Sequence, residues 1–172
     1  MKSLKCDGLG LSHPKRAKLP PRAFGRKCVK APVFYRVSSV LLVLFAVGHT
    51  FGFRQNNPEW QADAVLGLMR SVHFDAQGFT RTYWDFFSAF GLFFSVFLVF
   101  AAVLAWLLGG LPPETLGRVR GIAWALAICF VAVTALSWRF AFTTPLIFST
   151  LITVCLTAAA WLSGRMSNAV VD

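Results

Sequence analysis

The sequence predicts an all-α integral membrane protein, a four-helix bundle with a short amphipathic surface helix in its first outer loop. Three observations point there. Apolar residues make up 56% of the 172 residues and fall in four long runs with no amphipathic spacing, a pattern that excludes an ordinary soluble domain. The longest run, entered through Arg81, Tyr83, Trp84 and Asp85, is free of charge after Asp85 and dense in Phe, Leu and Val. At about 1.5 Å of rise per residue it exceeds the roughly 30 Å hydrocarbon core of a bilayer. Lastly, the net charge of +10 is concentrated in the first 36 residues. A basic end beside a hydrophobic span is an orientation signal before it is a nucleic-acid arm.

The segments follow in order. Residues 1–31 carry Lys, Arg, Pro and Gly without a sustained hydrophobic period, so a disordered cytoplasmic tail that contacts anionic lipid headgroups is expected. The run behind it is too long for a cleavable signal and ends in GHTFGFR without a small-residue cleavage site; an over-early start codon is the alternative. Residues 32–165 form the transmembrane domain, with spans at 33–53, 83–108, 121–138 and 145–162, and 166–172 are a short cytoplasmic tail.

In the connection between the first two spans, Asn57, Pro58 and Glu59 read as a helix start, since Asn caps, Pro fits the first helical position and an acid suits the positive helix end. Trp60, Ala64 and Leu68, with Val65, Met69 and Val72, then recur at helical spacing, which fits a helix lying on the membrane surface. GGLPPETLGR at 109–118 reads as a turn, since two glycines and two prolines cannot continue a helix. Gly117, Gly121 and Ala125 form a small-xxx-small stripe that would let a neighbouring helix approach. Pro145 suits the first turn of the last span, where Ser149, Thr150, Thr153 and Thr157 are expected to bond within or between helices.

Counting Lys and Arg by side gives thirteen at the end holding the termini and the 109–120 turn, and four (Arg54, Arg70, Arg81 and Arg139) at the other. The positive-inside rule therefore puts both termini in the cytoplasm. The even number of spans requires them to share a side.

That topology gathers polar residues at the outer level. His49, Thr50 and Arg54 end the first span, Tyr83 and Asp85 begin the second, and Arg139 ends the third. Ionisable groups at a membrane boundary are candidates for function because keeping them there costs free energy. His49 and Asp85 are the candidate catalytic pair, expected to approach one another, and His49, Thr50, Arg54, Tyr83, Asp85 and Arg139 are the candidate ligand-binding set. Each also has a structural reading: Asp85 lies three residues after Thr82, close to a capping box, and the arginines suit interfacial anchors.

One histidine makes no metal or haem site, so no metal or cofactor is expected. Without CxxC the four cysteines argue against a disulfide-shuttling membrane enzyme; Cys129 and Cys155 read as small packing residues. No phosphate-cradling glycine loop, H-E-x-x-H or nucleophile elbow occurs.

The elements GHTFG at 48–52, Met69 and Phe74 in the loop, and GFTRTYWDFFSAFGLFFS at 78–95 resemble a family of small uncharacterised bacterial membrane proteins with four predicted spans, a GHT element and an R-x-Y-x-D-F element. The resemblance implies a bacterial inner membrane and supplies no reaction. The expected role is a structural or interaction component partnered by the lipid bilayer, a second copy or another membrane protein, with no nucleic acid. The competing reading is a small-ligand or lipid-handling protein, or an enzyme, with its site at His49 and Asp85.

Overall fold

The computed structural model describes residues 30–55 and 57–168. The expected tail lies outside them, apart from Lys30 and Ala31, which already belong to the first helix. Six helices and one hairpin follow in order: α1 (Lys30–Gly52), α2 (Asp63–Ser71), β1 (His73–Ala76), β2 (Phe79–Thr82), α3 (Tyr83–Gly110), α4 (Pro113–Arg118), α5 (Arg120–Phe140) and α6 (Thr143–Asn168). Four of them, α1, α3, α5 and α6, are long and apolar enough to cross a membrane. Even the shortest, the 21 residues of α5, reaches about 31 Å, enough for the hydrocarbon core. Such runs fold as helices because in lipid every backbone N–H and C=O has to be satisfied within the segment.

The spans pack in the order α3, α1, α6, α5, and stacked rings of Phe97 and Phe130, 5.9 Å apart, join α3 to α5. Alanines fill much of the core: Ala101, Ala102 and Ala105 on α3, Ala123 and Ala127 on α5, and Ala159 and Ala160 on α6 are all buried. Small side chains let membrane helices approach closely, which matters where lipid is as apolar as the core and burial alone does not drive association. Large apolar side chains point outward instead, for example Phe93 at 67% and Ile128 at 63% exposure. That inversion of the soluble pattern is a lipid-facing surface.

Hydroxyls pin the seams. Ser39 Oγ donates to the Ala102 carbonyl at 2.8 Å, Thr134 and Thr153 lie 2.9 Å apart between α5 and α6, and Tyr35 meets Ser163 at 3.4 Å between α1 and α6. Ser149 and Thr150 bond back to the Leu146 carbonyl of their own helix.

Several local expectations are corrected. Asn57 does cap, accepting from the Glu59 amide at 3.1 Å, but only a single 3-10 turn follows at Pro58–Trp60 before Gln61 enters the left-handed region at φ 50°. The surface helix therefore begins at Asp63 and excludes Trp60. Behind it the chain forms an antiparallel hairpin with His73 opposite Thr82. Its turn residues Gln77 and Gly78 have φ of 54° and 87°, the signs required by the tight turn that matches strand twist. Gly109 and Gly110 do not break α3 but complete it, and the two prolines start the short α4, whose Leu116 is fully buried. The small-residue stripe is not the face of α5 packed within the chain: Gly121 and Ala125 are exposed, while Ala123, Leu126, Ala127 and Phe130 form its buried face. Cys129 likewise faces outward. The last helix continues past 162 to Asn168.

Candidate functional site

The end of the bundle where α1 finishes and α3 begins carries most of the sequence-selected polar residues. β2 runs into α3 without a linker, and Thr82 is both the last residue of β2 and the N-cap of α3. Its hydroxyl accepts from the Asp85 amide at 3.2 Å, and Asp85 Oδ2 accepts from the Thr82 amide at 2.9 Å. This is a complete capping box, which satisfies otherwise orphaned amides at the positive end of the helix. The same carboxylate oxygen accepts from the Thr82 hydroxyl at 2.9 Å, so Asp85 serves its own helix start.

The preceding hairpin and α2 are fastened to α3 by aromatic contacts. Phe74 lies 5.0 Å from Tyr83 and 5.8 Å from Phe86, and the Arg70 guanidinium sits 4.2 Å over Trp84. Tyr83 is thereby a clamp on the hairpin.

His49 belongs to a different contact, one turn and more further down α3. Its Nε2 lies 3.2 Å from the Gly91 carbonyl. A carbonyl can only accept, so Nε2 carries the proton and donates. The imidazole stacks on Phe53 at 5.2 Å and meets Phe94 edge-on at 4.9 Å. The Phe53 ring lies against Gly91, so that a Cβ there would come within 3 Å of it; glycine at 91 is what admits the aromatic. Next to it, Thr50 Oγ1 is 2.8 Å from Ser95 Oγ and 2.7 Å from the Ala46 carbonyl, and Ser95 donates to the Gly91 carbonyl at 3.2 Å. His49 and Thr50 from α1, with Phe53 just past its end, thus dock on Gly91, Phe94 and Ser95 from α3.

The six candidates divide accordingly. His49 and Thr50 share this seam. Asp85 is six residues from Gly91 along α3, about 9 Å by helical rise, and among the described residues His49 and Asp85 form neither a hydrogen bond nor an ion pair with one another. Their positions explain the separation: His49 lies half-buried in the helix interface opposite Gly91, while Asp85 is exposed at the start of α3. Arg54 lies over Phe53 at 5.1 Å and Arg139 over its neighbour Phe140 at 5.1 Å, both at the exposed rim. Among the described residues no three of His, Cys, Asp and Glu come together as a metal site.

Sequence reasoning passed over Phe53, Gly91, Phe94 and Ser95. The available signal was Gly91 with Ser95 one turn later, two small residues at helical spacing in a Phe-rich run, a place for close backbone approach.

Fold and seam define a four-span integral membrane protein whose connecting loop folds as a helix and hairpin against the second span. No protein-family model matches this chain, and no curated protein or solved structure matches it either.

Proposed function

We propose that this protein is a structural or interaction component of the bacterial inner membrane, spanning it four times with both termini in the cytoplasm. The single observation carrying the reading is how the polar side chains are used. His49 is committed to the Gly91 carbonyl, Thr50 to Ser95 and Ala46, and Asp85 to Thr82. Groups engaged in this way hold helices in place, as membrane hydroxyls and imidazoles commonly do. The likeness of the GHT and R-x-Y-x-D-F elements to small four-span bacterial proteins supports the choice of membrane, and the thirteen-to-four distribution of Lys and Arg supports the orientation.

A folded loop that presents Trp60, Val65, Leu68 and Phe79 to the outside supports an interaction role at the outer face, against the membrane surface or another membrane protein.

The test is complementation of a deletion strain, scored by growth and by membrane lipid composition, with accumulated protein measured in parallel. His49→Gln and Asp85→Asn should restore the strain in proportion to the protein that accumulates. Normal accumulation without restoration by either variant would instead assign chemistry to that residue.

A further inference from the structure

At the opposite end of the bundle, the first turn of α5 and the last turns of α6 enclose a notch of about 220 Å³ lined by Arg120, Trp124, Ala160, Trp161, Gly164 and Arg165. Its size falls below the roughly 300 Å³ at which pockets for drug-sized ligands begin, so it suits a fragment of a larger molecule. Its chemistry is two cations on an aromatic floor, with no carboxylate among the lining residues. The Arg165 guanidinium lies 3.7 Å over the Trp161 ring, a cation–π contact that does not use its N–H groups as donors to an oxygen. Among the described residues neither Arg120 nor Arg165 has a hydrogen-bond or ion-pair partner. Gly164 is part of the lining and carries no side chain, and a Cβ there would meet no atom within 4 Å, so a larger residue at 164 has open space to occupy.

The position narrows the occupant. Arg120 opens one candidate span and Arg165 closes another, so both cations sit at the level where hydrocarbon gives way to headgroups, and tryptophans settle at that depth. Planar guanidinium groups bind phosphate oxygens through paired N–H donors, and basic pockets between transmembrane helices suit anionic headgroups. We propose that this notch binds the phosphodiester headgroup of an anionic phospholipid, with Arg120 and Arg165 meeting the phosphate oxygens and Trp124 and Trp161 contacting the glycerol and upper acyl region.

A larger groove between α1 and α3, about 400 Å³, has walls of Val40, Val43, Leu44, Val99 and Val103 with Trp106. It offers an acyl chain no means of telling one headgroup from another.

The experiment is native mass spectrometry of the purified full chain in detergent, titrated in parallel with dioleoylphosphatidylglycerol, dioleoylphosphatidylcholine and inorganic phosphate. The wild type should retain phosphatidylglycerol in preference to phosphatidylcholine. Arg120→Gln and Arg165→Gln should each weaken that retention about fivefold, the equivalent of one basic residue at a lipid surface. Gly164→Leu should weaken it comparably by filling the notch with both arginines in place. Arg36→Gln, which removes a cation at the same end but stacked over Trp106, should change it little. Circular dichroism confirms that each variant is folded, and if the arginine variants are not, Gly164→Leu decides. Equal retention of the two lipids by the wild type, or undiminished retention by Gly164→Leu, overturns the proposal. Inorganic phosphate displacing phosphatidylglycerol at equal concentration would overturn the lipid as the source of the phosphate.

Discussion

His49 donates from Nε2 to the carbonyl of Gly91 across the α1–α3 seam, 3.2 Å away, and the Phe53 ring, four residues later and just past the end of α1, covers the same glycine. A polar side chain from the last turn of α1 and an aromatic one just beyond it thus converge on a residue of α3 that has no side chain. Removal of Cβ serves both, because it lets the ring approach and brings the backbone carbonyl within reach of the imidazole.

The separation of His49 from Asp85 has a direct consequence for double mutants. Residues without shared partners contribute additively to stability, so the losses in Tm from His49→Gln and Asp85→Asn should sum in the double variant. A double variant no less stable than the worse single one would mean that the two groups act together.

Thr82 is buried and donates and accepts within the capping box, whereas Ser71 at the end of α2 is exposed. Thr82→Ala should therefore cost about 1 kcal/mol, the usual effect of losing an N-cap, while Thr82→Ser should retain most of it. Urea or thermal unfolding in detergent measures both, and a neutral Thr82→Ala would show that the hairpin holds α3 without its cap.

Adjacent glycines at the end of α3 offer an internal control. A Cβ on Gly109 would lie 3.2 Å from the Pro32 carbonyl oxygen and from Tyr35 Cβ, whereas one on Gly110 meets nothing within 4 Å. Gly110→Ala should be neutral or stabilising by up to about 1 kcal/mol through helix propensity. Gly109→Ala should be the less stable of the two, since a backbone oxygen cannot turn aside as a flexible side chain would. Their Tm difference checks the close approach of α1 to α3 at this end.

Topology has its own test. Cysteines introduced at Gln61 and Thr143 in a cysteine-free background should react with an impermeant maleimide in intact cells, and one at Pro112 only after permeabilisation. All three positions are exposed, so burial would not mask the result. Labelling of Pro112 in intact cells would reverse the orientation inferred from the charges.

What could be read from the sequence follows from the kind of signal each feature leaves. The four spans were legible because an apolar run longer than the bilayer core has few other uses, and the Thr82–Asp85 box because capping depends on residue types at fixed spacing. The hairpin was not, since its strands are four residues each and its Gln77–Gly78 turn lacks the asparagine or aspartate that usually announces such turns. The glycines at 109 and 110 were misjudged for a related reason. In a membrane helix every backbone group has to be satisfied within the segment, which outweighs their weak propensity, and Gly109 also packs closely against Pro32, Tyr35 and Arg36. The partner of His49 could not be read at all, because a backbone carbonyl is present at every position and only the relative rotation of α1 and α3 selects Gly91. The pairing with Asp85 was inferred from depth along the helices, and depth left both this rotation and a further 9 Å of rise undetermined.

The most direct test of the α1–α3 seam is a double-mutant cycle on Phe53 and Gly91, read as unfolding free energy in detergent. Gly91→Val should destabilise by about 1–3 kcal/mol, because the new side chain must displace the Phe53 ring, and Phe53→Ala should destabilise by removing that ring. In the double variant the valine occupies the space the ring has left, so the combined loss should fall short of the sum of the single losses by 0.5 kcal/mol or more. Losses that add without remainder would contradict the contact between Phe53 and Gly91, and with it the docking of the GHTFGF end of α1 onto α3.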